Sequence, residues 1–228
     1  MLRFCLICLL PLNLIAATDA SATTQPSSFV VSWLKAQTQV HSWSADFTQT
    51  RSLKSLAQPL TAKGHVWFSS PNQFRWELGH PAQTIAVRAA QEMLVIYPKL
   101  KRIERFPLTG QQSGPWRDAL GLLEAGFPRS QAELESQYDI LSENLKGDSC
   151  EIALQPKSTA ARKMMPHLTI LFGTKDFVLR ATELQFADGS TMRNDFANAI
   201  LNPELDPQLF SPEIPQGFKV VEPFKKTD

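Results

Sequence analysis

The sequence has few cysteines, almost no net charge and no long apolar run beyond its first residues. Of the 3 cysteines in 228 residues, Cys5 and Cys8 lie in the N-terminal apolar run, so only Cys150 remains for the body of the chain. An internal disulfide is therefore excluded there. The 23 Lys and Arg residues nearly balance the 22 Asp and Glu residues. This balance argues against a nucleic-acid partner, which would need a basic surface.

The sequence also lacks the common motifs of enzyme active sites. It contains no G-x-S-x-G, no phosphate-binding loop and no G-x-G-x-x-G, and Cys150 has no nucleophile signature around it. The 4 histidines are scattered without metal-ligand spacing. We therefore expect a protein that is not an enzyme and that binds no metal or other cofactor.

The amino terminus has the layout of a secretory signal. A short basic start that includes Arg3 precedes an apolar run from Phe4 to Ala17, and small residues follow at Ala20 and Ala22. The run is shorter than the ~20 residues that span a bilayer. We interpret residues 1–22 as a cleavable signal peptide. Residues 23–228 are long enough for a single domain with its own core.

Hydrophobic periodicity predicts one helix followed by many strands. Ser28–Val40 has helical spacing after a serine N-cap. Helical spacing returns in Trp116–Glu124, and the capping box Ser130–Glu133 starts a further short helix. Apolar and polar residues alternate in the remaining segments, which are bounded by Pro, Gly and Asn turns. The predicted strands are Ser42–Arg51, Thr61–Ser69, Gln73–Leu78, Gln83–Arg88, Gln91–Tyr97, Arg102–Phe106, Tyr138–Asn144, Cys150–Gln155, His167–Phe172, Val178–Phe186 and Thr191–Ala199.

These elements predict an α+β, mainly β fold. We expect an open, incomplete antiparallel β-barrel of about 11 strands in meander order, because a large antiparallel sheet needs its apolar face covered. Helices would form a lid over the concave face. Such an arrangement leaves a hollow in which a ligand can sit.

The aromatic hairpin Gly64–Trp76 is the strongest candidate for the ligand site. Alternation within strands nominates eight residues for a lipid-binding cavity. They are Trp67, Phe74, Trp76, Ile85, Val87, Met93, Val95 and Tyr97. Alternation does not show which set of residues points inward after each turn. Part of the inward set could therefore be Val66, Phe68, Leu94 and Ile96. For all of these residues, packing in the core is the alternative to ligand contact.

Motifs in and around this hairpin resemble the LolA family, the periplasmic carriers of outer-membrane lipoproteins. The similarity extends over nearly the whole chain after the signal peptide. The matching segments are Ala45–Thr50, Gly64, Trp67, Pro71–Trp76, His80-Pro81, Gln83–Val87, Tyr97-Pro98, Asp188–Thr191, Asn198, Asn202, Leu209-Phe210 and Pro215–Val220.

The resemblance implies a monomeric carrier whose hollow accepts the acyl chains of lipoproteins. It also implies two partners, an inner-membrane ABC lipoprotein exporter that loads the carrier and an outer-membrane lipoprotein acceptor that unloads it. On the same analogy, Trp116, Leu120, Leu123 and Phe127 would line a lid that packs on the sheet when the carrier is empty. A fixed covering helix is the alternative for that segment.

Two positions differ from the family pattern. Ser70 stands where the family usually has an arginine that tethers the lid, and Ala89-Ala90 replaces the usual Asp-Gly turn. Arg75 should point to the opposite face from Phe74 and Trp76. These departures keep open a LolA-like paralogue that carries another lipid or glycolipid. A lipid-sensing signalling module of the envelope is a second alternative, because the resemblance extends to an envelope-stress regulator that contains the same half-barrel. An unrecognised hydrolase is the third.

Overall fold

The computed structural model describes residues 27–88, 91–108, 128, 130–211 and 213–223. The predicted signal peptide, the Ala89-Ala90 turn and the predicted helix Trp116–Glu124 lie outside these residues. None of the helices in the described ranges combines the length and the apolarity needed to cross a membrane.

Twelve strands of the described chain form one sheet, one more than the sequence predicts. The additional strand is the short C-terminal β12, which has too few residues for a recognisable alternation. The strands are β1 Ser42–Ser52, β2 Leu60–Ser69, β3 Gln73–Leu78, β4 Thr84–Arg88, β5 Glu92–Tyr97, β6 Arg102–Pro107, β7 Tyr138–Lys146, β8 Ser149–Pro156, β9 His167–Gly173, β10 Leu179–Gln185, β11 Thr191–Leu201 and β12 Lys219–Val221.

The sheet consists of two meanders joined through β1. Its order is β12-β6-β5-β4-β3-β2-β1-β11-β10-β9-β8-β7, so β1 pairs with its sequence neighbour β2 and also with the distant β11. All described pairings are antiparallel except that of β12 with β6. Because β7 and β12 do not pair with each other, the barrel is open, as predicted.

Three α-helices accompany this sheet in the described part of the chain. They are α1 Ser28–Gln37, α2 Gln131–Gln137 and α3 Thr159–Met164, and two 3₁₀ helices cover Pro98–Leu100 and Pro207–Phe210. The predicted serine caps are present at α1 and α2, where Ser27 Oγ accepts from the Phe29 amide and Ser130 Oγ accepts from the Glu133 amide. Helix α1 ends earlier than predicted, at Gln37 rather than Val40.

The helices cover one half of the sheet and create the main core. Val30 and Trp33 of α1 are fully buried, and the Trp33 ring stacks on Phe172 of β9 with centroids 4.7 Å apart. Leu134 of α2 and Met165, just after α3, belong to the same cluster. We call the sheet face that carries these contacts the inner face, and the opposite one the outer face.

Candidate functional site

Strand register shows which side chains share the inner face on β2–β6. Directly opposed residues of neighbouring antiparallel strands lie on one face. One row across these strands is Val66, Trp76, Ala86, Val95 and Glu104, and a second row is Phe68, Phe74, Arg88, Met93 and Phe106. Val66 belongs to the helix-covered core, so both rows belong to the inner face.

Five of the eight predicted cavity residues lie together on this face. Phe74, Met93 and Val95 are almost fully buried, and they form a cluster with Phe106, which sequence reasoning did not nominate. Trp76 and Tyr97 pack against the cluster and keep part of their surface exposed. We call these six residues the Trp76 patch. It is a contiguous apolar cluster, to which α1, α2 and α3 contribute no clustered residue.

The prediction that Trp67, Ile85 and Val87 share this face is wrong. Trp67 is opposite Arg75, which is opposite Val87, so this row alternates with the Trp76 row and lies on the outer face. Ile85 packs there with Leu94, Ile96 and Ile103. The turn length between two strands fixes which residues oppose each other, and a shift of one residue exchanges the faces.

The outer face at β3 and β4 is covered by the C-terminal segment. Arg75 is ion-paired with Glu77 at 2.6 Å and donates to the Leu209 carbonyl at 3.2 Å. Phe210 is buried nearby in the second 3₁₀ helix, and Phe218 packs against the outer cluster. The prediction that Arg75 points to the opposite face from Phe74 and Trp76 is confirmed. Its hydrogen bond to Leu209 attaches the C-terminal segment to the outer face.

Phe47 and Trp76 connect the patch to the main core across strand β2. Their ring centroids are 3.9 Å apart although β2 runs between their strands. The intervening position is Gly64, where an added Cβ would lie 2.3 Å from Phe47 Cζ and 2.2 Å from the Glu77 carbonyl oxygen. Glycine is therefore required there so that the Phe47 ring can cross β2. Phe196 of β11 completes the group, with its centroid 6.3 Å from that of Trp76.

Polar groups border the Trp76 patch on β5 and β6. Glu104 is paired with Arg102 at 2.7 Å, and the Tyr97 hydroxyl donates to Glu104 at 3.4 Å. Burial, followed by the charge of Glu104, raises the pKa of Tyr97 above its ordinary value. Arg88 also lies on the inner face, in the row of Phe74 and Met93. An apolar ligand on the patch would thus end near charged or hydroxyl groups.

The predicted lid residues Trp116, Leu120, Leu123 and Phe127 lie outside the described residues. Of the groups that could do chemistry, the Cys150 thiol is buried. Burial, then the charges of Glu143 and Glu151, raise its pKa to about 11. The described ranges hold no group of three or more His, Cys, Asp and Glu side chains able to bind a metal ion.

Sequence reasoning missed Phe47, Phe106 and Phe196 for different reasons. Phe47 and Phe106 lie in predicted strands, and their alternation could have nominated them. Phe196 reaches the site only because β11 pairs with β1, residues about 150 positions apart in sequence, and no local pattern shows that pairing.

The twelve-stranded sheet, with helices and an apolar cluster on one face, is an open antiparallel β-barrel. The family model for the outer membrane lipoprotein carrier protein LolA matches residues 38–213. The chain belongs to the LolA family.

Similar proteins agree with this assignment. The chain is 30% identical over 186 residues to an outer-membrane lipoprotein carrier protein of Chromohalobacter salexigens, covering 80% of this chain and 81% of that protein. It is 25% identical over 177 residues to a protein of the same description from Nitrosospira multiformis, covering 78% and 80%. A crystal structure of an uncharacterized conserved protein from Thermus thermophilus shares the fold, with a TM-score of 0.50, 10% identity, and coverage of 84% and 97%.

Proposed function

We propose that this protein is a periplasmic carrier that shields the acyl chains of lipoproteins and delivers them to the outer membrane. The observation that carries the proposal is the Trp76 patch, an apolar inner-face cluster beside the helix-covered core, with Trp76 and Tyr97 partly exposed. Membership of the LolA family, together with the similarity to two outer-membrane lipoprotein carrier proteins, supports a lipoprotein as the cargo.

A carrier of acyl chains needs a broad apolar face, because it must offset the free-energy cost of exposing these chains to water. Each methylene of an acyl chain costs ~0.8 kcal/mol when it is exposed to water. The patch offers aromatic, aliphatic and thioether side chains in one surface, and methionine adapts to irregular apolar partners. Such side chains can shield acyl chains from water without high shape specificity. Binding of moderate affinity suits a cargo that must later be released.

The route of transport belongs to the same proposal. Residues 1–22 act as a cleavable signal peptide that directs the chain, with its single domain at residues 23–228, across the inner membrane. An inner-membrane ABC exporter supplies the cargo and an outer-membrane lipoprotein acceptor receives it. In this role the protein acts as a chaperone for lipid-modified proteins, as a monomer and without chemistry on the cargo.

A second candidate is a LolA-like paralogue that carries another lipid or glycolipid. Ser70 favours it, because the family usually has an arginine at this position. Arg88 and Glu104 on the inner face also give the site charges that could bind a polar head group.

Mass spectrometry of material co-purified from the native periplasm tests the proposal. Wild type would be compared with Trp76→Asp and with the matched control Trp67→Asp, whose side chain lies on the outer face. We expect acylated lipoprotein with wild type and Trp67→Asp, and its loss with Trp76→Asp.

A non-protein lipid in place of lipoprotein would select the paralogue. If no sample contained apolar cargo, the carrier proposal would be wrong and an envelope signalling role would gain support. Circular dichroism of each variant confirms that the fold is retained.

A further inference from the structure

A row of hydrogen-bonded polar side chains crosses the inner face where apolar residues surround it. Gln49 of β1, Asn194 of β11 and Thr182 of β10 oppose one another in register. Gln49 Nε2 donates to Asn194 Oδ1 at 3.1 Å, and Asn194 Nδ2 donates to Thr182 Oγ1 at 3.3 Å. We call these three residues the amide ladder.

The two amides of the ladder are almost fully buried, and Thr182 is partly exposed. Gln49 is 8% exposed and Asn194 is 6% exposed. The neighbouring row on one side is Phe47 and Phe196, and Met192 and Leu184 oppose each other on the other side. Burying amides in such surroundings costs free energy unless their donors and acceptors are paired.

The ladder's own hydrogen bonds leave several donors unused. A primary amide has two N–H donors and a hydroxyl has one. Within the part of the chain that the structure describes, Gln49 and Asn194 each donate once, and Thr182 only accepts through its side chain. One N–H of each amide and the Thr182 hydroxyl are therefore available to a ligand that supplies acceptors.

The ladder is adjacent to the proposed acyl-binding surface. Gln49 follows Phe47 by two residues on the same face of β1, a rise of about 7 Å. Phe47 in turn contacts Trp76, with ring centroids 3.9 Å apart. The inner face thus has donors at one place and an apolar surface next to them, which matches a lipid with carbonyl groups at the head of its chains.

We propose that the amide ladder binds the ester carbonyls at which fatty acyl chains join glycerol, while the chains extend over the Trp76 patch. This inference rests on the proposed function and names the chemical group that the same site would recognise. Ester carbonyls only accept hydrogen bonds, so they complement the unused donors. The same diacylglyceryl esters occur in lipoproteins and in glycerophospholipids.

Binding of matched ester and ether ligands tests the inference. The first pair is a lipopeptide with an S-diacylglyceryl cysteine and its dialkyl ether analogue of equal chain length, which lacks the carbonyls. We expect wild type to bind the ester about threefold to tenfold more tightly, the range expected for one net hydrogen bond.

Substitution within the ladder should lower this preference. Gln49→Met keeps a similar length but removes one of the three available donors, so its preference for the ester should be smaller than that of wild type. Gln185→Met makes the same change on the exposed, outward-facing side of β10 and should keep the wild-type ratio. A purely structural ladder would change the affinity for both ligands together and leave their ratio unchanged, and that result would overturn the inference.

Thr182→Val provides a second variant if Gln49→Met does not fold. It removes the hydroxyl that accepts from Asn194 with little change in shape, and it should lower the ester preference. An unchanged ratio in this folded variant would also overturn the inference.

Two further outcomes separate this inference from the proposed function and identify the source of the esters. Failure of wild type to bind either lipopeptide would contradict the carrier proposal itself. Equal binding of ester and ether would contradict the ladder inference alone. A second pair, a short-chain diacyl phosphatidylglycerol and its dialkyl ether, shows whether phospholipid esters are preferred as well; a preference in either pair supports the inference.

Discussion

The two halves of the inner face carry similar side chains but differ in what packs on them. On β7–β11, helices α1 and α2 contribute buried residues such as Trp33 and Leu134 to a common core, which Met165, just after α3, also joins. On β3–β6, the Trp76 patch forms a separate cluster without those helices. This difference is the basis of the proposed division of labour, in which the helix-covered half stabilises the fold and the Trp76 patch is the proposed ligand site.

The largest expected effect is on stability in the helix-covered half. Trp33→Ala removes a side chain that is fully buried and stacked on Phe172, and should lower the free energy of unfolding by about 3–5 kcal/mol. Denaturant unfolding measures the loss. Thiol labelling of the buried Cys150 should accelerate in parallel, because the thiol becomes accessible when this half opens.

Val31→Ala is the control for Trp33→Ala on the same helix. Val31 is 46% exposed, so its truncation should change stability by less than about 0.5 kcal/mol. Equal effects of the two substitutions would contradict the assignment of the helix-covered half as the stabilising core.

The next largest effect is on ligand affinity in the Trp76 patch. Trp76→Ala should weaken binding of an acylated lipopeptide by about 2 kcal/mol, or roughly 30-fold, the contribution of one buried aromatic side chain. Trp67→Ala makes the same change on the outer face of the neighbouring strand β2, and its affinity should match that of wild type. Isothermal titration with both variants would refute the assignment of faces if Trp67→Ala showed the larger loss.

Gly64→Ala should break the contact between the halves. The new Cβ would collide with the Glu77 carbonyl and the Phe47 ring, and overpacking of this kind costs about 1–3 kcal/mol. Displacement of Phe47 from Trp76 should also change the tryptophan fluorescence. The exposed neighbour Lys63→Ala provides the control, and a fluorescence spectrum identical to wild type in Gly64→Ala would contradict the role of glycine.

The smallest effect concerns Asp46 on the outer face. Hydrogen bonds from Asn198, then from His65, hold the pKa of Asp46 below its ordinary value of 3.8. A depressed folded-state pKa contributes stability above the unfolded value, and this contribution is lost as the pH falls through the folded value. Because the group is exposed, Asp46→Asn should cost only about 0.5 kcal/mol at pH 7.

The pH dependence distinguishes this charge effect from lost packing. The stability difference between Asp46→Asn and wild type should shrink as the pH falls below 3.8 towards the lower folded-state pKa, because the unfolded chain binds the proton at a higher pH than the folded protein does. A difference that stayed constant as the pH was lowered through the folded-state pKa would exclude the ionisation of Asp46 as its cause.

The sequence predicts local elements of this fold well because alternation and capping are local signals. The strand segments and the serine caps at Ser27 and Ser130 agree with the structure to within a few residues. The facing of strands is less predictable. Trp67 lies between the apolar Val66 and Phe68, so alternation within β2 does not show which face it takes. The short connection between Ser69 and Gln73, which pair with each other, places it on the face opposite to that of Trp76.

Long-range pairing accounts for the other features that the sequence does not reveal. The joining of β1 to β11 places Phe196 beside Trp76 and places Asn194 beside Gln49. These residues are far apart in the chain, and their neighbours carry no motif. The short β12 escapes prediction for a different reason, because so few residues cannot establish a period.

The central claim is that acyl chains lie on the inner face of β3–β5. Photo-crosslinking with a lipopeptide whose acyl chains carry diazirines tests it, with the labelled residues located by mass spectrometry. The account predicts labels at alternate positions, on Phe74, Trp76, Met93, Val95 and Tyr97. Labels concentrated instead on Trp67, Ile85 and Val87, or spread equally over both faces, would contradict it.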